Sequence, residues 1–355
     1  MKQDIKNRRV TVRDIADKLG LSHPTVSRAL NDHPRISEST KKKVREMAKK
    51  LNYRPNIMAR ALSSRKTSLI GFVIRDIKSS FHAEIIAGVQ DVLDQYGYSI
   101  ILCNSNTNSE LEKRHLQIVA DKQVEGIILA PVLGDKTNLD ILVKIHEDGI
   151  PIVQVTLPKP TKDIPYVSVD NELGGYLATR HLLELGHRNI VYVTRSEAIL
   201  KTGTAGMNEN YDRYQGYCRA LKEQGLLDNV QVMVDPTNGE DKEFILHIIK
   251  QKNPPTAVFA YCDDIAIGLI RGAHSNGFKI PEDISVVGFD DLPHAHMFQP
   301  PLTTVAQPKY ELGTYAAQKL LQLISGKPEK DTILMPLMKI RESTAPYKKK
   351  TPVVK

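Results

Sequence analysis

The chain has 355 residues, of which 41% are hydrophobic and 25% charged, and its formal net charge is +8. This length is enough for two or more domains. No apolar run approaches the roughly 18 residues that a membrane-spanning helix needs, which excludes a membrane-spanning protein. No apolar segment follows the basic stretch 2–9, so a cytoplasmic location is expected, and the widely spaced Cys103, Cys218 and Cys262 fit reduced thiols there.

The positive charge is concentrated at the amino-terminal end. Residues 1–66 carry 18 Lys or Arg against 6 Asp or Glu, a balance of +12, whereas the remaining 289 residues carry 31 against 35, a balance of −4. This asymmetry predicts that a polyanion such as DNA contacts one end of the molecule.

The basic end, residues 1–55, is predicted to form an all-α domain of three helices. Thr11 caps the first helix, which a glycine ends. Ser22 caps the second helix, and the third follows Ser37 and is predicted to end at Pro55. Two short helices joined by a tight turn, with a third that closes the core, are typical of a helix-turn-helix DNA-binding module.

The outward faces of the second and third helices favour nucleic acid as the partner. On the second helix the outward side chains are small, hydroxylic or basic, and none is acidic, so this helix can approach phosphates. The outward positions of the third helix are basic: Lys41, Lys42, Lys43, Arg45, Lys49 and Lys50. A three-helix domain that binds an acidic protein is the alternative interpretation.

Residues 56–67 are predicted to be a hinge helix and linker. The helical part, 56–62, is about two turns long, and helices shorter than roughly 12 residues are marginal in water. This helix is therefore expected to order only against a partner. The run from Val10 to Leu62 closely resembles the DNA-binding head and hinge of the LacI/GalR family of bacterial repressors.

The resemblance implies how the head contacts DNA. In that family the second helix enters the major groove and the hinge helix enters the minor groove, which implies base contacts for His23, Pro24 and Arg28. Leu62 resembles the hinge leucine that wedges between base pairs, with Ala59 against the groove. The remaining DNA contacts assigned on this resemblance, mainly to phosphates, are Thr11, Ser22, Thr25, Ser27, Asn31, Arg35 and Asn56.

From residue 68 onward, apolar runs alternate with amphipathic helices. The predicted strands are Leu69–Ile74, Ser99–Leu102, Gly126–Leu129, Ile152–Val155, Ile190–Val193, Val230–Val234, Thr256–Ala260 and Ile284–Gly288. Helices predicted between them include Ala83–Tyr96, Leu111–Lys122, Leu173–Leu185, Tyr214–Glu223 and Ile265–Asn276. This alternation predicts an α/β fold with doubly wound parallel sheets, and the length of the segment predicts two lobes.

Five phrases of this segment resemble the family's effector domain, which looks like a periplasmic sugar-binding protein: 185–188, 213–217, 286–291, 301–304 and 341–344. The resemblance implies an effector-binding and dimerisation domain over 68–346. Its first lobe is expected at 68–166 and 305–327, and its second lobe at 167–304 and 328–346. The basic tail 347–355 is too short for the coiled coil that makes some relatives tetramers, so a homodimer is expected.

A ligand is expected in the cleft between the lobes, beside the carboxyl ends of the strands. Arg213 opens a helix after a polar loop and Asp290 ends a strand, so the two side chains can hold vicinal hydroxyls of a sugar from both sides. The alternative is that they pair with each other. The resemblance implies ligand contacts for both, and further candidate wall residues are Asp76, Phe81, Asp263 and Tyr310.

These observations predict a dimeric transcriptional regulator, a repressor that binds a pseudo-palindromic operator and is switched by a small ligand, a sugar or sugar derivative by the resemblance. An architectural DNA-binding protein without a ligand and a soluble sugar-binding protein are the alternatives. An enzyme is not expected, because Asp263-Asp264 and Asp290-Asp291 are sequence neighbours that seldom converge on one substrate. The sequence has no phosphate loop, nucleophile elbow or zinc spacing, so neither cofactor nor metal is expected.

Overall fold

The computed structural model describes residues 10–53, 67–132, 138–156, 161, 163–196 and 208–348. The chain divides into two compact units, Met1–Thr67 and Ser68–Lys355. The predicted hinge contacts Asn56, Ala59 and Leu62 lie outside the described residues, as does the tail from residue 349 onward.

The helices of the first unit are α1 (Val12–Leu19), α2 (His23–Leu30) and α3 (Glu38–Lys50). Their facing sides form a small apolar core in which Ile15, Val26 and Val44 are fully buried. The three-helix head predicted from the apolar spacing is therefore observed.

The predicted caps of α1 and α2 are confirmed. The backbone N–H of Thr11 donates to the Asp14 carboxylate at 2.7 Å, and the backbone N–H of Asp14 donates to Thr11 Oγ1 at 3.4 Å. The backbone N–H of Thr25 donates to Ser22 Oγ at 3.3 Å. These bonds satisfy N–H groups that a helix leaves unpaired, so both short helices begin at defined residues.

The third helix differs from its prediction in two ways. It ends at Lys50 rather than at Pro55, because Asn52 adopts φ 50 and the backbone N–H of Tyr53 then donates to the Ala48 carbonyl at 2.8 Å. The Lys41 side chain is only 7% exposed rather than outward. Its stem packs against the head, while its ammonium lies 2.6 Å from Glu38 and 3.4 Å from Asp32.

The strands of the second unit are β1 (Leu69–Ile74), β2 (Ser99–Asn104), β3 (Gly126–Leu129), β4 (Ile152–Thr156), β5 (Tyr166–Val169), β6 (Ile190–Thr194), β7 (Gln231–Val234), β8 (Ala257–Ala260), β9 (Ser285–Asp290), β10 (Thr303–Ala306), β11 (Thr332–Leu334) and β12 (Leu337–Lys339). Its helices are α4 (Ser80–Gln95), α5 (Ser109–Asp121), α6 (Leu139–Glu147), α7 (Asn171–Glu184), α8 (Glu209–Glu223), α9 (Phe244–Ile249), α10 (Asp263–Ser275) and α11 (Lys309–Ile324).

The strands form two six-stranded sheets, one for each lobe. The first lobe has the order β11-β5-β4-β3-β1-β2, and the second has β12-β10-β9-β8-β6-β7. All paired strands are parallel except β10 and β12. The inner strands are apolar throughout, as in β1, because helices cover both faces of such a sheet. The predicted α/β fold with doubly wound parallel sheets is confirmed.

The lobe boundaries differ from the expected ones. β5 adds to β4 in the first sheet, and β11 adds to β5, although both had been assigned wholly or mainly to the second lobe. β10 lies entirely in the second sheet. The chain therefore crosses between lobes after β5, after β10 and between β11 and β12. Strand pairing sets these boundaries. The sequence of a short strand with polar residues does not indicate which strand it pairs with.

The turn that follows β9 contacts both lobes through its side chains. Asp290 and Asp291 have φ 119 and φ 51, and Leu292 then packs into the core of the first lobe, where it is buried. The Lys309 ammonium donates to the carbonyls of Asp290 and Asp291 at 2.8 and 2.7 Å, and Arg341 donates to the Asp291 carboxylate at 2.5 Å. These bonds hold a backbone conformation that non-glycine residues rarely adopt.

Helices α7 and α8 of the second lobe touch backbone to backbone. A Cβ on Gly175 would lie 2.0 Å from the Arg213 carbonyl oxygen, and one on Gly216 would lie 2.0 Å from the Glu172 carbonyl oxygen. Glycine is therefore required at this crossing, and Gly175 fixes where the backbone of Arg213 lies.

We expect Gly175→Ala to destabilise the protein by about 1–3 kcal/mol, because the added methyl group forces α7 and α8 apart. Urea unfolding followed by circular dichroism measures this change. Glu184→Ala, which removes only an exposed partner of Arg180 from the same helix, is the control and should cost about 0.5 kcal/mol or less. Equal unfolding midpoints for the two variants would contradict the close crossing.

Candidate functional site

The three residues to which base contacts were assigned lie on one surface of the helix-turn-helix head. His23, Pro24 and Arg28 are all exposed on α2. Arg28 has no ion pair with any residue that the structure describes, so its guanidinium is available for a guanine edge.

Several side chains assigned to phosphates also hold the ends of the helices. Thr11 Oγ1 donates to the Asp14 carboxylate at 2.7 Å, and Ser22 Oγ lies 2.8 Å from Thr25 Oγ1. The Asn31 amide donates to the Ser27 carbonyl at 3.0 Å. Thr11, Ser22 and Asn31 are nevertheless exposed, as is Arg35, and Thr25 and Ser27 are partly exposed.

A cavity of about 190 Å³ lies between the two lobes of the second unit. Its first-lobe wall consists of Arg75, Asp76, Ser79, Phe81, His82, Thr107 and Thr156. Its second-lobe wall consists of Asn171, Arg195, Glu209, Arg213, Asn238, Tyr261, Cys262, Asp264 and Asp290, with Gln307 at the crossover after β10. Most of these residues follow the carboxyl ends of strands or open the helices after them, which is where parallel sheets bind ligands.

Arg213 is fixed at the second-lobe wall by two hydrogen bonds and by contact with two aromatic rings, those of Tyr261 and Phe289. Its Nε donates to Asn171 Oδ1 at 3.0 Å, and its Nη1 donates to the Tyr261 carbonyl at 2.7 Å. The guanidinium carbon lies 3.6 Å from the centre of the Phe289 ring. A guanidinium that is 4% exposed needs such partners, because an unpaired buried charge is strongly destabilising.

Asp290 completes the surroundings of Arg213. Its Oδ1 lies 3.4 Å from Arg213 Nη2 and accepts from the Gln307 amide at 2.6 Å. Both groups belong to the second lobe, in agreement with the expected lobe bounds, so they line one wall and do not enclose a ligand from both sides. The alternative that they pair with each other is observed. Burial raises the pKa of Asp290 to about 6, although the positive charge of Arg213 opposes the rise.

One ion pair joins the two walls. Arg75, directly after β1, lies 3.2 Å from Glu209 at the start of α8, and both side chains are nearly buried. The Tyr261 hydroxyl donates to the same Glu209 oxygen at 2.9 Å. Burial alone would raise the pKa of Glu209, but the charges of Arg75 and Arg213 lower it below its ordinary value, so this carboxylate is ionised.

Asp263 and Tyr310, two predicted wall residues, do not line the cavity. Asp263 is fully buried behind the second-lobe wall, where it accepts from the Thr304 hydroxyl at 2.6 Å and from the Leu292 backbone N–H at 2.8 Å. Its neighbour Asp264 lines the cavity instead, since one step along a helix turns the side chain by about 100°. Tyr310 lies on α11, exposed, and donates to Asp91 at 2.8 Å.

The other predicted wall residues, Asp76 and Phe81, do line the cavity. Sequence reasoning missed Arg75, His82, Arg195, Glu209 and Tyr261. Their positions in the sequence could have identified two of them, because Arg75 and Tyr261 each directly follow a predicted strand, and Arg195 lies two residues after another.

A helix-turn-helix head followed by two parallel-sheet lobes with a polar cavity between them defines a ligand-binding transcriptional regulator. Residues 11–56 match the family described as "Bacterial regulatory proteins, lacI family", and residues 67–351 match "Periplasmic binding proteins and sugar binding domain of LacI family". The chain belongs to the LacI family of bacterial regulatory proteins, and its relatives are transcriptional regulators rather than enzymes.

Individual relatives cover nearly the whole chain. Catabolite control protein A of Priestia megaterium is 35% identical over 341 residues, which are 94% of this chain and 99% of that protein. The Lac repressor dimer bound to operator and the anti-inducer ONPF superposes with a TM-score of 0.83 at 26% identity, over 95% of this chain and all of that one. A LacI family regulator of Enterococcus faecium with bound ribose gives 0.70 at 28% identity, over 79% of this chain and all of that one. Among the described residues, no helix has the length and apolar character to cross a membrane.

The Asp290 carboxyl is expected to titrate near pH 6, because burial disfavours its charged form. Carbon-13 NMR of aspartate-labelled protein measures the midpoint. Gln307→Leu should move it higher, since the variant removes a hydrogen bond that stabilises the carboxylate. The signals of the other aspartates, recorded in the same spectra of wild type and variant, serve as the control. A midpoint in the ordinary aspartate range, unchanged in the variant, would show that Asp290 is solvated.

Proposed function

We propose that this protein is a cytoplasmic repressor that binds a pseudo-palindromic operator as a homodimer and is switched by a small polyhydroxylated ligand. The observation that supports this most strongly is the polar cavity around Arg213 and Asp290 in a chain that begins with a helix-turn-helix head. Two heads related by a two-fold axis would each read one half-site.

The DNA contacts assigned to the head remain part of this proposal. His23, Pro24 and Arg28 would reach base edges, and the hydroxyl and amide groups around them would bind phosphates. The same groups cap α1 and α2, so the recognition helix is held at both ends while it meets the groove.

The ligand is proposed to be a carbohydrate. Arg213 and Asp290 offer donors and acceptors side by side, and the Asn171 and Gln307 amides extend this set. Vicinal hydroxyls, each a donor and an acceptor, match such a wall. The related regulator of Enterococcus faecium contains ribose, which supports the same ligand class here.

The proposed control of operator binding by a ligand follows from a cavity that has one wall on each lobe. A ligand that contacts both walls stabilises the lobe arrangement in which they lie close together, and it shifts the protein by its difference in affinity for the two arrangements. A coupling of about 1–3 kcal/mol between ligand and operator is enough to change occupancy several-fold or more.

We expect Arg28→Ala to weaken operator binding by about 1–3 kcal/mol and to reduce the preference for operator over a scrambled duplex, because it removes a contact to a base. Fluorescence anisotropy with both duplexes measures the change. Lys42→Ala removes the same charge from an exposed site on α3 and is the control, with a similar effect on both duplexes. An equal loss of specificity in the two variants would argue against base reading by Arg28.

We expect an uncharged monosaccharide to change the operator affinity of the wild-type protein and to have a much weaker effect on Asp290→Ala, because that variant lacks the carboxylate that accepts from hydroxyls. Operator titrations with and without D-ribose, D-glucose and D-galactose measure this. Asp91→Ala, on α4 beside Tyr310, is the control and should respond as the wild type does. If no small molecule alters operator affinity, the protein is an architectural DNA binder instead.

A further inference from the structure

The first-lobe wall holds an unusual concentration of unsatisfied polar atoms. Among the residues that the structure describes, eight buried side-chain nitrogen or oxygen atoms have no hydrogen-bond partner. Four of them belong to this wall: Arg75 Nε, both ring nitrogens of His82 and Thr156 Oγ1. A buried polar atom without a partner is destabilising, so four on one surface of a cavity mark a place where a water molecule or a ligand hydroxyl supplies the partners.

His82 has a defined orientation and charge at this wall. The residue is 6% exposed, and its ring packs edge-on against Phe81 with the ring centres 5.5 Å apart. Burial, with the positive charge of Arg75, lowers the pKa of His82 to about 4, against the negative charges of Glu209 and Asp76 and a weak interaction with the Asp76 backbone carbonyl. The imidazole is therefore neutral near pH 7, with one nitrogen as a donor and the other as an acceptor.

The charges of the wall are also balanced. Arg75 is its one arginine or lysine among the described lining residues, and its Nη1 is already paired with Glu209 at 3.2 Å. Asp76 adds a carboxylate to the same wall. At this wall, a phosphate or carboxylate on the ligand would meet a paired guanidinium, a neutral imidazole and a repelling carboxylate, whereas Arg195 lies on the opposite wall.

We infer that Arg75, His82 and Thr156 bind hydroxyl groups at an uncharged end of the ligand, and that His82 selects a neutral carbohydrate over its phosphorylated or acidic derivatives. A hydroxyl both donates and accepts, so it satisfies either nitrogen of the neutral ring, while Arg75 Nε and Thr156 Oγ1 reach neighbouring oxygens. This inference rests on the proposed function, because it assigns the ligand class and one specificity-determining residue of the same cavity.

The test uses the full-length protein and isothermal titration calorimetry with D-ribose, D-glucose and D-galactose, each compared with its terminal phosphate. At least one uncharged sugar is expected to bind, and its phosphate is expected to bind more weakly. His82→Phe should weaken binding of the uncharged sugar by about 10- to 100-fold, because it removes both hydrogen bonds while it keeps a flat ring. His82→Gln, which keeps one donor and one acceptor, should stay within a few-fold of the wild type.

A series of monodeoxy sugars distinguishes a direct contact from a structural role. The analogue without the hydroxyl that His82 reads should bind weakly to the wild type, whereas His82→Phe should bind it and its parent sugar equally. His115→Phe, which changes a histidine with an unpartnered ring nitrogen outside the cavity, is the control and should leave sugar affinity unchanged. Thermal unfolding of each variant confirms that it is folded.

The outcomes separate this inference from the proposed function. A sugar phosphate that binds more tightly than its parent and alters operator affinity would overturn the inference and leave the proposed function intact. Equal affinities of His82→Phe and the wild type for the sugar would do the same. If neither the sugars nor their phosphates bind, the inference and the carbohydrate part of the proposed function both fail.

Discussion

The burial of the Arg213 guanidinium is the constraint on which the second-lobe wall depends. A charge removed from water has to be matched by partners of good geometry, and here they come from α7, from the end of β8 and from the end of β9. Loss of any partner leaves the charge unsatisfied, so these three elements are fixed relative to one another. Gly175 strengthens this arrangement because it lets α7 reach the Arg213 backbone.

The contact between Arg75 and Glu209 has a different role, because its two members belong to different lobes. Its stabilisation depends on the two walls staying close, and separation of the lobes would expose both charges to water. Since an ion pair that loses burial also regains hydration, the net free energy of this contact is small compared with its Coulomb attraction. A ligand that contacts both walls would therefore add to a contact whose own net stabilisation is small.

The sequence predicted those features that depend on local patterns. Apolar runs located eight strands, and capping residues located the starts of α1 and α2, because these signals lie within a few residues of one another. Features that depend on strand pairing were harder to predict: β5 and β11 contain few residues, and only their partners show which sheet they join. The cavity wall was predicted in part. Arg213, Asp290, Asp76 and Phe81 were identified, but a helical step separated Asp263 from the wall, and His82 lies inside a helix where nothing in its neighbours distinguishes it.

The turn at Asp290 and Asp291 connects the cavity wall to the core of the first lobe. Asp290 lines the cavity, while Leu292, two residues further on, is embedded in the opposite lobe. Because the intervening backbone is held in a rare conformation by Lys309 and Arg341, this turn has little freedom to absorb displacement. A rotation of the first lobe would therefore displace the Asp290 carboxylate, because the few bonds between Asp290 and Leu292 have little freedom to rotate. The carboxylate proposed to bind the ligand would thus also move with the angle between the lobes.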